Sequence, residues 1–169
     1  YAQSLYEKKL LTYPRTDSRY LTSDMAETAV CVLHLAAKLP PFDGCRDFFP
    51  DVSGMISDKD VTDHHAIIPT IEIEKADIGG LPVGERNLLL LVCCKLLCAS
   101  AEPYVYETVT ATFECEGNTF TAKGKHILSE GWREIERLFR SSLKEKPEGG
   151  GSTDLPLFTE GQTFEGITA

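Results

Sequence analysis

The 169 residues suffice for one domain or two small ones. Hydrophobic residues make up 42% and charged residues 25%, which is typical of a globular protein and argues against a disordered or collagen-like chain. The net charge of −9 disfavours a broad nucleic-acid-binding surface, yet residues 1–20 carry four basic against two acidic side chains, which allows one local basic site. With no membrane-length apolar run and no secretory signal, we expect a cytoplasmic protein without membrane contact.

Helical spacing of apolar residues dominates the first half of the chain. Residues 2–11 predict a short helix that ends before Pro14, because a residue preceding proline avoids helical backbone. A second helix is predicted over residues 24–36. Residues 42–63 predict a long irregular loop, and residues 86–101 predict a strongly apolar helix that packs on two faces.

Alternation with period two replaces helical spacing after Pro103. Residues 104–115 alternate between apolar and polar side chains, and residues 119–123 follow a Glu-Gly-Asn turn, so the sequence predicts a β-hairpin. The remaining predicted elements are a short helix over residues 131–139 and two strands over residues 155–158 and 162–168.

Helices followed by strands predict an α+β fold, with a mainly helical N-terminal domain and then an antiparallel β-rich domain. We predict the helical domain over residues 1–82 and a domain of one helix plus antiparallel strands over residues 83–169. No metal site is predicted, because none of the six cysteines forms a C-x-x-C pair.

The densest group of reactive side chains surrounds Tyr13, with Arg15 two residues later. A phenol is a poor nucleophile at neutral pH because its pKa is ordinarily near 10, and a nearby guanidinium favours the phenolate. Since arginine also binds phosphate in a bidentate manner, the pair suits nucleophilic attack on phosphorus. The structural alternative is a half-buried tyrosine at a helix end beside a solvated arginine.

A second group contains two adjacent histidines, His64 and His65. Histidine can donate a hydrogen bond to a phosphate oxygen or transfer a proton near pH 7. Neighbouring side chains diverge, so the two rings do not readily share one metal. The alternative is one histidine bonded to a loop carbonyl and the other exposed.

The segments AQSLYEKKLLTYPRTDSRYL and VTDHHAIIPT together resemble the active-site domain of type IA DNA topoisomerases. YPRTDS and HHAIIPT resemble the topoisomerase III branch best. The later segments LLLLVCCKLLCAS, YVYETVTATFECEG and FTAKGKHILSEGW resemble the part of these enzymes that leads into their β-rich arch, so the resemblance covers nearly the whole chain.

The resemblance implies a role for each matching residue. Tyr13 resembles the nucleophile that forms a 5′-phosphotyrosine link with single-stranded DNA. Arg15 and His64 resemble the residues that bind the scissile phosphate, and His65 matches the same motif with a less defined role. Ser18, with Thr16 and Asp17, matches as an orienting residue. The residues expected to contact DNA are therefore Ser18, Arg15, Arg19, His64 and His65.

The family also has a Toprim domain with an acidic D-x-D-x-E cluster for Mg²⁺, which this sequence lacks. The resemblance therefore implies that Mg²⁺ binds outside these 169 residues, that the partners are single-stranded DNA and the remaining domains of the same polypeptide, and that the isolated fragment is inactive. It leaves the oligomeric state open.

Three other functions compete with this interpretation. The first is a non-catalytic single-stranded nucleic-acid-binding module in which Tyr13 stacks on a base. A tyrosine recombinase is disfavoured because its H-x-x-R pattern is missing after His65. A protein-interaction domain would use Phe42, Phe48 and Phe49 as an exposed surface, although core packing is the usual fate of such residues.

Overall fold

The computed structural model describes residues 1–44, 50–143 and 155–164. Helices come first and strands later, which confirms the predicted α+β fold class. The elements are α1 (Ala2–Glu7), α2 (Ala26–Ala36), α3 (Val83–Ala99), β1 (Val105–Cys115), β2 (Asn118–Ser129) and α4 (Trp132–Ser142). Short 3₁₀ turns occupy Ser23–Met25, Ser53–Met55, Asp58–Asp60 and Ile71–Glu74.

The chain forms two compact units. Among the described residues, the first unit contains 1–44, 50–103 and 131–143, and the second contains 104–130 and 155–164. Helix α3 packs against α1, α2 and α4 and is thus part of the first unit. The first unit therefore runs to residue 103 and also includes α4, whereas the predicted domain boundary at residues 82 and 83 grouped α3 with the strands.

The core of the first unit is built around α3, as its apolar sequence predicted. Leu89, Cys93 and Leu97 on this helix are fully buried. Phe42 is also fully buried, and its ring stacks on that of Phe139 in α4 with centroids 6.5 Å apart. Phe42 is therefore a core residue and not part of an exposed aromatic surface; Phe48 and Phe49 lie outside the described residues.

Helix α1 ends at Glu7, four residues earlier than predicted. Lys9 adopts a left-handed backbone with φ of 61°, a conformation that usually favours glycine or asparagine. The chain therefore turns back, and the amides of Leu10 and Leu11 both donate to the Leu5 carbonyl, at 2.8 and 3.4 Å. This reversal, and not Pro14, ends the helix.

The second unit is built on the predicted β-hairpin. Strands β1 and β2 pair antiparallel from Cys115↔Asn118 to Val105↔Ser129, so β2 extends six residues beyond the predicted strand. The predicted strand over residues 155–158 is wrong, because these residues and 162–164 are irregular. The remainder of the predicted strand over 162–168 lies outside the described residues.

Helix α4 begins after Gly131, which has φ of 47° and ψ of −134°. A Cβ atom here would lie 2.3 Å from the Pro103 carbonyl oxygen, so only glycine fits.

Over the described ranges, no helix combines the length and apolar character needed to cross a bilayer.

Candidate active site around Tyr13

The two motifs lie side by side in the first unit although about fifty residues separate them. Leu11 and Pro69 form an isolated antiparallel bridge, and the Thr70 amide donates to the Leu10 carbonyl at 3.1 Å. At the other end, the Ala66 amide donates to the Tyr20 carbonyl at 2.8 Å. Residues 64–70 are called the histidine segment below. The extended segment 10–21 is thus bonded to the histidine segment on both sides of Tyr13.

Thr12 joins the motifs most directly. Its amide donates to the Ile68 carbonyl at 3.0 Å, and its hydroxyl accepts from the Ile68 amide at 3.0 Å. The same hydroxyl donates to the Ala66 carbonyl at 3.3 Å. Three hydrogen bonds from the residue preceding Tyr13 therefore fix its backbone relative to the histidine segment.

The structure brings Tyr13 and His64 together. Their ring centroids lie 4.4 Å apart with the planes tilted by 45°. A third ring, that of Tyr6, meets Tyr13 nearly at right angles with centroids 5.4 Å apart. Tyr13 is half-buried and His64 is exposed, so the pair lies at the surface and a ligand can reach it.

The two arginines of the first motif lie at the protein surface. Arg15 and Arg19 are exposed, and within the described part of the chain neither makes a hydrogen bond or ion pair. Arg15 follows Tyr13 by two residues, and the next hydroxyl, that of Thr16, donates to the His64 carbonyl at 2.8 Å. The Arg15 backbone is therefore held at the site, while its guanidinium is available to an external anion.

The Ser18 side chain is used internally. Its hydroxyl lies 3.0 Å from the Asp60 carbonyl and 3.3 Å from the Tyr20 carbonyl, and it accepts from the Tyr20 amide at 3.1 Å. The Ser18 amide in turn donates to the Thr16 hydroxyl at 3.1 Å. These bonds support an orienting role, and the DNA contact expected of Ser18 stays a prediction.

The two histidines have different surroundings. The Nδ1 atom of His65 lies 2.8 Å from the Ala66 carbonyl oxygen, and since a carbonyl only accepts, Nδ1 carries the hydrogen. His65 is half-buried and bonded to a loop carbonyl, whereas His64 is exposed and contacts Tyr13. His64 is thus better placed than His65 to act beside Tyr13.

Glu85 is a buried carboxylate that sequence reasoning missed. It lies in the first turn of α3, where the Ser4 hydroxyl donates to it at 3.0 Å and Lys8 forms an ion pair with it. The Lys8 ammonium holds the pKa of the Glu85 carboxyl below its usual value. Lys8 is one of the four basic residues in the segment 1–20, and its charge is partly neutralised by Glu85.

Sequence reasoning also gave no role to Thr12 and Tyr6. A signal for Tyr6 exists in the sequence, because it is an apolar-face residue of the short helix that precedes Tyr13. No such signal marks Thr12, whose partners are backbone atoms more than fifty residues away.

In the described ranges, no group of three or more His, Cys, Asp or Glu side chains is arranged to hold a metal ion.

Comparisons with known proteins match nearly the whole chain. A family model described as DNA topoisomerase matches residues 1–168. DNA topoisomerase 3 of Bacillus licheniformis is 35% identical over 173 residues, which cover 96% of this chain and 22% of that protein. DNA topoisomerase 3 of Bacillus subtilis is 34% identical with the same two coverages, and that of Staphylococcus aureus is 34% identical over 80% of this chain and 19% of its own length. The chain spans about a fifth of the length of these relatives.

Proposed function

This chain belongs to the DNA topoisomerase family, and from that membership we propose that it carries the nucleophile of a type IA enzyme that cleaves single-stranded DNA transiently. The observation that carries the proposal is the 4.4 Å contact between the rings of Tyr13 and His64. It joins the two motifs on which the resemblance to type IA enzymes rests, at a surface that a DNA strand can reach.

In the proposed reaction, the phenolic oxygen of Tyr13 bonds to the phosphorus of a phosphodiester as the bond from phosphorus to the 3′-oxygen breaks. The phenol loses its proton, and the 3′-oxygen leaves as a hydroxyl after gaining one. The downstream strand stays attached through a 5′-phosphotyrosine link while another strand passes. Attack by the 3′-hydroxyl then reverses the step, and no ATP is needed because one phosphate ester is exchanged for another.

The neighbouring residues have complementary roles in this proposal. Arg15 would bind the scissile phosphate, because its exposed guanidinium has no ionic partner within the described residues. His64 would donate a hydrogen bond to the same phosphate from its place beside Tyr13. Arg19 and His65 would contact adjoining phosphates, and Ser18 would orient the segment that carries them.

The chain alone should cleave little or no DNA. Stabilisation of the leaving 3′-oxygen is the chemistry expected of Mg²⁺ and its carboxylates. We assign that ion to the rest of the polypeptide, as the resemblance to type IA enzymes implies; no group of side chains suited to hold it occurs among the described residues. A cytoplasmic location stays a prediction.

The test uses a full-length protein that contains these 169 residues, with Mg²⁺ and a single-stranded oligonucleotide. After denaturation with detergent, an oligonucleotide labelled at its 3′ end should migrate with the protein, whereas a 5′ label should appear on a shortened free strand. Tyr13→Phe should abolish the covalent adduct because it removes only the nucleophilic oxygen. Tyr106→Phe, at an exposed tyrosine in the second unit, is the matched control and should form the adduct normally.

Measurements of DNA binding by the same variants separate the competing functions. Tyr13→Phe should still bind the oligonucleotide, because aromatic stacking and phosphate contacts do not need the hydroxyl. A wild-type protein that binds DNA without forming any adduct would be a binding module and not a topoisomerase. Attachment of the 5′-labelled strand would reverse the polarity and contradict the type IA assignment, and an adduct in Tyr13→Phe would exclude Tyr13 as the nucleophile.

A further inference from the structure

Tyr6 contacts the proposed nucleophile without belonging to the hydrophobic core. Its ring meets that of Tyr13 with an angle of 80° between the planes, which is the edge-to-face arrangement that aromatic pairs prefer. The residue is 39% exposed, so packing of the protein interior does not require an aromatic ring at this position. The ring contact described for Tyr6 is the one with Tyr13.

The backbone between the two tyrosines is fixed in a way that brings the rings together. Helix α1 ends at Glu7, and the left-handed Lys9 reverses the chain so that Leu10 and Leu11 bond back to the Leu5 carbonyl. Leu5 is fully buried and anchors this turn in the core. Tyr6, the neighbour of Leu5, therefore faces a segment whose position is set by buried contacts.

Helix α1 is itself attached to α3. The Ser4 hydroxyl and the Lys8 ammonium both bind the buried Glu85 carboxylate, and these residues flank Tyr6 on either side in the sequence. The Tyr1 ring also packs on Gly84, where an added Cβ would lie 2.4 Å from a ring carbon. Tyr6 thus projects from a supported element, which is what a side chain needs if it is to hold another in place.

From this arrangement we propose that Tyr6 is a positioning residue, whose ring restricts the orientation of Tyr13 while His64 contacts the same ring. This inference rests on the proposed function. The Tyr13 phenol must be aligned with phosphorus for attack. If its ring rotates away, the rate of adduct formation falls while the affinity for DNA stays the same. Because the contact is made by the ring and not by the hydroxyl, Tyr6→Phe should still restrict the orientation of Tyr13.

The experiment measures single-turnover adduct formation by the full-length protein at saturating oligonucleotide, together with DNA affinity by equilibrium binding. Tyr6→Leu should slow adduct formation about three- to tenfold, the loss that corresponds to one aromatic edge-to-face contact. DNA affinity should stay within about twofold of wild type. Tyr6→Phe should form the adduct at the wild-type rate, and so should the control Tyr106→Leu, at a similarly exposed residue.

The outcomes distinguish this inference from the proposed function. An unchanged rate in Tyr6→Leu, while wild type forms the adduct, overturns the positioning role and leaves the function intact. No adduct in wild type overturns the function. Equal losses in Tyr6→Phe and Tyr6→Leu would assign the effect to the hydroxyl and also contradict the proposal. If Tyr6→Leu lowers the unfolding midpoint, Tyr6→Met replaces it as the decisive variant, with the same slower rate expected.

Discussion

Thr12→Val tests whether the nucleophile segment and the histidine segment are held together as the structure shows. Valine keeps the shape of threonine, so the substitution removes the hydroxyl without opening a cavity. Two hydrogen bonds are lost, to the Ala66 carbonyl at 3.3 Å and from the Ile68 amide at 3.0 Å. At about 0.5–1.5 kcal/mol for each, the free energy of unfolding should fall by about 1–3 kcal/mol.

Urea unfolding followed by the fluorescence of Trp132 is a suitable assay. Trp132 is the single tryptophan of the chain and lies in the first unit, so its signal reports on the unit that contains Thr12. With a slope of about 2 kcal/mol per molar urea, the midpoint should drop by roughly 0.5–1.5 M. Thr28→Val is the matched control, because Thr28 is exposed on α2 and should change stability by less than about 0.5 kcal/mol. Equal midpoints for the two variants would refute the argument that the Thr12 hydroxyl joins the segments.

Two further predictions concern the first unit. Phe42→Ala should lower the free energy of unfolding by about 3–5 kcal/mol, because Phe42 is fully buried against Phe139, and a urea midpoint close to wild type would contradict this placement. Glu85→Gln should remove a pH dependence: the pKa of Glu85 is lowered in the folded protein, so its ion pair with Lys8 stabilises the fold at neutral pH and this contribution is lost as the pH falls through that lowered pKa. Thermal unfolding from pH 7 to 3 should therefore show a difference between wild type and Glu85→Gln that shrinks toward low pH, and a constant difference would contradict the ion-pair argument.

The elements that the sequence predicted well are those set by local pattern. Helix α3 follows from a long apolar run, and the hairpin follows from alternation around a Glu-Gly-Asn turn. The end of α1 was missed because Lys9 adopts a left-handed backbone that its residue type does not signal. The strand predicted over residues 155–158 was wrong because strand propensity does not supply a pairing partner: among the described residues, a single backbone hydrogen bond, from the Leu155 amide to the Lys125 carbonyl, joins this segment to β2.

The candidate site was predictable only in part. Residue chemistry alone left Tyr13 and the histidines with structural alternatives, and their proximity followed from the family resemblance, since a spacing of 51 residues fixes no distance. The structure adds the 4.4 Å contact with His64 and separates the exposed His64 from the half-buried His65. The catalytic and DNA-binding roles of these residues stay predictions until the adduct assay is done.

The acidic character of the chain is compatible with the proposed phosphate-binding site, because the two arginines of that site are not neutralised by acidic partners among the described residues. Lys8 is held by Glu85, so it adds little positive charge beside Tyr13. The Asp60 carboxylate accepts from Ser57 at 2.6 Å, and the Asp58 carboxylate accepts from the Ser23 amide at 2.7 Å; these neutral donors fix the two carboxylates in place and leave them charged. Arg15 and Arg19 remain without an ionic partner among the described residues. A site of this kind would attract phosphate through two guanidiniums, while the acidic remainder weakens non-specific binding of DNA elsewhere on the chain.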